Sequence, residues 1–203
     1  MNININSYYE KRENLYNKIH NAQTNQKVIM AFFMACFTGI MAQIAIPLSW
    51  TPVPITLQTF AVLLSGLILG KKYGLLSQVF YLLGGLVLPW YTGMTGGLDV
   101  LLGSTGGYIF GFLIAAYFIG AISEKYPSSR NFFKMSGTVA IANFALIYIP
   151  GLAGLAITFY LTKGVVLSLP QLIIMGLAPF IVGDIIKILA AGTFSKVFLP
   201  KDE

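Results

Sequence analysis

An uninterrupted apolar stretch over residues 28–48 constrains this chain more than any other feature. As a helix rising about 1.5 Å per residue, it is long enough to cross roughly 30 Å of hydrocarbon. Further apolar runs follow at 55–70, 75–89, 108–123, 135–161 and 169–198, separated by polar or by glycine- and proline-rich segments. Charge is correspondingly scarce. Only 10% of the 203 residues are Asp, Glu, Lys or Arg, against roughly a quarter in ordinary soluble domains. So few charges cannot cover a water-facing surface, whereas lipid needs no such cover. The expected fold class is all-α, a polytopic membrane protein with six transmembrane helices over residues 28–198. The third run is short and must tilt or thin the bilayer. Pro150-Gly151 interrupts the fifth, and Pro170 and Pro179 are expected to bend the sixth.

Residues 1–27 are polar and lack the apolar core of a cleavable signal. They are expected to form a cytoplasmic tail, in which Tyr8, Tyr9, Leu15, Tyr16 and Ile19 suit a helix at the membrane surface. With the N-terminus inside, 11 of the 13 Lys and Arg residues fall on the cytoplasmic side. The bias supports an N-in, C-in arrangement in the cell membrane, with residues 199–203 as a short cytoplasmic tail. It also places residues 50–54, rich in proline, and the long segment 90–107 outside. That segment repeats itself: Gly93-Met94-Thr95-Gly96-Gly97 recurs as Gly103-Ser104-Thr105-Gly106-Gly107. It is too glycine-rich for a stable helix and too apolar to float in water. It is therefore expected to fold back as an extracellular cap, with a plain pair of turns as the alternative.

Asp184 and Lys187 are the most informative pair. Both lie in the sixth apolar run and share a helix face at three-residue spacing. Each charge costs about 2.5–3.5 kcal/mol at mid-membrane on insertion scales. Either they neutralise one another structurally, or they form a ligand site facing the bundle interior. Thr56, Gln58, Thr59, Asn143 and Tyr108 could complete a pocket, although Asn143 and Gln78 serve equally well as interhelical glue. Ala31, Ala35 and Gly39 recur every four residues, as do Gly107 and Gly111, and such stripes mark close helix contact. The first stripe faces either a neighbouring helix or a separate subunit.

Several functions are disfavoured. The net charge of +6 is spread between apolar runs rather than gathered on one face, which argues against nucleic acid. The one cysteine, Cys36, permits no internal disulfide. The one histidine, His20, lies outside every span, which weighs against an intramembrane zinc enzyme or a Ser–His hydrolase. Gly70-Lys71-Lys72 lacks the rest of a phosphate-binding loop, so ATP hydrolysis, if used, belongs to another chain.

Three motifs carry a family resemblance. The run Pro52-Val53-Pro54-Ile55-Thr56-Leu57-Gln58-Thr59, the glycine-rich run from Gly96 to Tyr108, and Asp184-x-x-Lys187 stand in the same order in the BioY family. That family comprises the biotin-specific substrate-capture components of energy-coupling-factor transporters, and the resemblance covers most of residues 28–195. It implies a six-helix subunit that binds biotin from outside and works with a transmembrane coupling subunit and a pair of cytoplasmic ATPases. It implies no metal or prosthetic group. The site would draw on Thr56, Gln58, Tyr108, Asn143, Asp184 and Lys187, with Tyr108 and Trp90 packing the rings. The face of Ala31, Ala35 and Gly39 would dock the coupling subunit. Ser104 and Gly154 depart from the family's pattern, where proline and a bulky residue are usual. A capture subunit for another small vitamin, an intramembrane enzyme and a small channel or scaffold are the competing readings.

Overall fold

The computed structural model describes residues 5–200. Expectations that fall on the first four residues, or on Lys201 to Glu203 of the C-terminal tail, lie outside them. The chain opens with α1 (Ile5–His20) and α2 (Thr24–Gln43). Residues 44–48 do not continue the first span as their apolarity suggests. Pro47 cannot donate within a helix, and the chain turns instead into an antiparallel hairpin of β1 (Ala45–Leu48) and β2 (Thr51–Thr56).

The next run, α3, extends over Gln58–Val87 but breaks at Gly70, whose φ of 73° and ψ of −176° leave the helical region. Its two halves pack against each other. Gln58 Nε2 donates to the Tyr81 hydroxyl, and Gln78 Nε2 donates to Ser65 Oγ at 3.2 Å. Gln58 and Tyr81 would be about 34 Å apart in a straight helix, so the run is a helical hairpin hinged on Gly70. Gln78, which the sequence leaves between glue and ligand contact, is fully buried on Ser65, Ser77 and Thr38. It is glue.

After the short α4 (Leu98–Leu101) comes α5 (Gly106–Lys125), the central helix. Its glycines allow backbone-to-backbone contact on two sides. A methyl on Gly107 would sit 2.1 Å from the Pro150 carbonyl oxygen, and one on Gly120 would sit 2.3 Å from the Lys71 nitrogen. Then α6 (Phe132–Ile141) passes through a π-turn (Ala142–Ile147) into α7 (Tyr148–Lys163), so the helix survives Pro150. The wide turn lies directly before the proline and accommodates its missing N–H. Pro170 starts α8 (Leu169–Gly176), behind a Ser168/Gln171 capping box, rather than bending it. The break falls at Pro179, in a 3₁₀ turn (Ala178–Phe180) before α9 (Ile181–Phe198).

Among the described residues, five helical runs are long and apolar enough to cross a membrane: Thr24–Gln43, Gln58–Val87, Gly106–Lys125, Phe132–Lys163 and Leu169–Phe198. Their outer faces carry exposed Phe33, Ile40, Ile149, Val182 and Ile186, while Leu63, Leu67, Phe112, Ile119 and Leu155 fill the core. Apolar groups on both sides of each helix are the pattern of a protein dissolved in lipid.

The stripe of Ala31, Ala35 and Gly39 is not an open face. Both alanines are fully buried within the chain, and Gly39 meets the Trp90 ring. Small residues here let α2 settle against its own bundle, one of the two roles expected of the stripe; docking of a separate subunit is the other. Trp90 is engaged with Gly39 and Gly84 and does not line the cavity described next.

Candidate functional site

A cavity of about 350 Å³ opens between the β-hairpin, the segment 91–105 and helices α5, α7 and α9. It falls within the range of roughly 300–1,000 Å³ typical of small-molecule pockets. Its floor is the pair expected from the sequence. Lys187 Nζ donates to Asp184 Oδ1 at 2.8 Å, and both residues are buried. Two charges at this depth need further hydrogen bonds beyond their own pairing, and most of their remaining groups have them. Asp184 Oδ2 accepts from Asn143 Nδ2 at 2.9 Å and from the Tyr148 hydroxyl, while Lys187 Nζ also donates to Thr59 Oγ1 at 2.9 Å.

A carboxylate offers about four acceptor positions and an ammonium three donors. Three donors reach Asp184, and two acceptors reach Lys187. One acceptor position on Asp184 Oδ1 and one N–H on Lys187 therefore remain uncommitted, side by side. The pair is electrically neutral yet presents an adjacent donor and acceptor to the cavity.

Gln58, at the start of α3, carries a second polar cluster. Its Oε1 accepts from Thr56 Oγ1 at 2.9 Å and from Thr92 Oγ1 at 3.2 Å, joining the β-hairpin to the long segment. Tyr108 contributes its ring, because its hydroxyl is bound to the Gly176 carbonyl at 2.8 Å. The ring stands edge-on to Tyr148 with centroids 5.8 Å apart, and Phe112, Ile147 and Phe180 complete an apolar wall.

Of the six residues expected at the site, Thr56, Gln58, Tyr108, Asp184 and Lys187 line the cavity together. Asn143 does not line it; it reaches Asp184 from behind. Tyr148 is a lining residue that the apolar pattern does not single out. In a regular helix it would lie about 140° around from Asn143, but the π-turn between them brings both onto Asp184. Gln43 is a further addition, signalled only by a polar side chain within an apolar run. Its Nε2 donates to the Tyr91 carbonyl at 3.0 Å and its Oε1 accepts from Met94 N at 2.9 Å, tying the glycine-rich segment to α2.

Among the described residues no group of three or more His, Cys, Asp or Glu is placed to hold a metal.

The chain is similar to several known proteins. The chain is 44% identical over 140 residues to "Probable biotin transporter BioY" of Methanothermobacter thermautotrophicus, covering 68% of this chain and 89% of the relative. It is 39% identical over 167 residues to "Biotin transporter BioY" of Thermotoga maritima, covering 82% and 91%. The solved structure of "the S-component for biotin from an ECF-type ABC transporter" superposes with a TM-score of 0.74 at 29% identity, over 86% of this chain and 93% of that one. The profile of the BioY family matches residues 14–200, and the chain belongs to that family.

Proposed function

We propose that this chain captures biotin as the membrane-embedded substrate-binding subunit of an energy-coupling-factor transporter. The observation that carries the reading is the uncommitted donor and acceptor left side by side on Lys187 and Asp184. The ureido ring of biotin presents N–H beside C=O on each edge, the complementary pattern. Asp184 Oδ1 accepts the ureido N–H, and Lys187 donates to the ureido oxygen. The remaining N–H of Gln58 and the hydroxyls of Thr92 and Thr95 lie along the wall for the other polar atoms. Tyr108, Tyr148 and Phe180 pack the sulfur ring and the aliphatic chain.

The membrane placement extends the same reading. Residues 28–198 form the membrane domain and cross it six times, since the hairpin at Gly70 turns α3 back on itself. The basic residues gather at one end: Lys71 pairs with Glu124 at 3.5 Å, and Arg130 bonds the Pro200 carbonyl. Asp184 lies about 18 Å along α9 from Lys196, toward the other end. That fits an N-in, C-in arrangement in the cell membrane, with polar segments 1–27 and 199–203 inside. The cavity then faces outward under the glycine-rich cap. Uptake draws its energy from a separate transmembrane coupling subunit and an ATPase pair, and the chain itself is a transport subunit rather than an enzyme.

The test is a thermal-shift panel of vitamins on the purified protein. Biotin should raise the unfolding temperature saturably and be recovered unchanged. A shift from another vitamin with none from biotin would contradict the assignment.

A further inference from the structure

At the basic end of the molecule, α1 lies across the end of α9 and the α5–α6 connection. The Tyr8 hydroxyl donates to the Val197 carbonyl, and Arg12 Nη1 donates to the Lys196 carbonyl at 3.4 Å. Between these elements is a second cavity, of about 740 Å³, lined among the described residues by Arg12, Arg130 and Lys196 and by one carboxylate, that of Glu13. Arg130 is 5% exposed, and among the described residues no carboxylate comes within ion-pair distance of it. Its guanidinium leans on neutral oxygens: Ser123 O and Pro200 O, each at 2.9 Å, and the Tyr16 hydroxyl at 2.6 Å. Two of its five N–H groups remain uncommitted. Arg12 Nε is also buried without a partner.

We infer that this cavity binds a phosphate-bearing anion, and specifically the headgroup of an anionic phospholipid in the adjoining leaflet. A buried guanidinium with spare N–H groups and no carboxylate partner among the described residues matches phosphate oxygens, which accept paired N–H donors. The Tyr16 hydroxyl accepts from Arg130, so its own proton is free for a third bond. Tyr8 and Tyr9 line the same cavity, half exposed, with rings suited to the depth of lipid headgroups. Basic pockets between transmembrane helices at the cytoplasmic face are known sites for such headgroups. The inference rests on the membrane placement proposed above and is independent of biotin.

The test uses the full chain in nanodiscs of phosphatidylcholine with increasing phosphatidylglycerol. Lipid retention is read by native mass spectrometry, and biotin binding is measured on the same samples. Nanodiscs expose both faces, so the result does not depend on orientation in the cell. The wild type should retain phosphatidylglycerol. The variant Arg12→Gln/Lys196→Gln changes residues outside the core and should retain it roughly 25-fold less tightly, at about fivefold per cation. Lys71→Gln/Lys72→Gln, which removes the same charge elsewhere on that end, should change retention little. Equal losses in the two variants would overturn the pocket in favour of general surface attraction. Competition by inorganic phosphate with no lipid retention would overturn the lipid assignment. In Asp202→Asn/Glu203→Gln the retention should persist; its loss would overturn the independence of the site from the chain's own carboxyl end.

Discussion

Asn143 donates to Asp184 across 41 residues of sequence, from the π-turn of one helix to the buried carboxylate of another, at 2.9 Å. The bond fixes the carboxylate from the side away from the cavity and leaves its Oδ1 edge toward the cavity. Asp184→Asn should therefore weaken biotin binding about 10- to 100-fold, the range of a hydrogen bond to a charged group, while the protein stays folded. Asn143→Ala should weaken it less, without touching ligand. Titration calorimetry on both variants checks this, and unchanged affinity in Asp184→Asn would make the pair purely structural.

Gly70 hinges the α3 hairpin in a backbone region open almost only to glycine. A methyl there would also meet Glu124 Oε1 at 2.0 Å. Gly70→Ala should cost about 1–3 kcal/mol from the backbone alone, seen as a lower unfolding temperature in detergent. Gly137→Ala, with open space around its Cβ, should be neutral or slightly stabilising. Equal behaviour of the two would contradict the hinge.

Burial of Ala31 and Ala35 has its own consequence. Replacing both with Trp forces bulk into a closed seam. Folded yield and biotin binding should fall together, as read by size-exclusion profile and ligand binding. A well-folded, biotin-binding double variant would instead favour docking of a separate subunit on this face.

His20 stacks on Tyr16 with ring centroids 3.9 Å apart, and its pKa is lowered from 6.5, chiefly by burial. The folded state thus holds fewer protons on this ring than the unfolded chain does. The associated stability is complete above the unfolded value and is lost as pH falls below it, through the folded value. Between pH 7.5 and pH 5.5, wild type should lose more of its α1 protection in hydrogen exchange than His20→Asn does. Identical losses would show that His20 takes no part.

The sequence carried the large features because lipid imposes them. Apolar runs, sparse charge and a buried Asp–Lys pair at helical spacing are direct consequences of a low-dielectric solvent, and five of the six residues expected at a ligand site line one cavity. What it concealed depends on local geometry that periodicity does not encode. Tyr148 reaches the site only through a π-turn, and the β-hairpin at residues 45–56 hides among apolar residues that would equally suit a helix. The Ala31 stripe was ambiguous for a different reason: small residues signal close contact without naming the partner.

Recognition of the ureido edge of biotin is proposed to rest on the adjacent donor and acceptor of Lys187 and Asp184. Isothermal titration of the purified wild-type protein with biotin, and with the diamine analogue in which the urea carbonyl is removed, tests it most directly. Biotin should bind saturably at one molecule per chain, and the diamine should bind at least a hundredfold more weakly. Equal affinity for the two compounds, or no saturable heat with biotin, would contradict it.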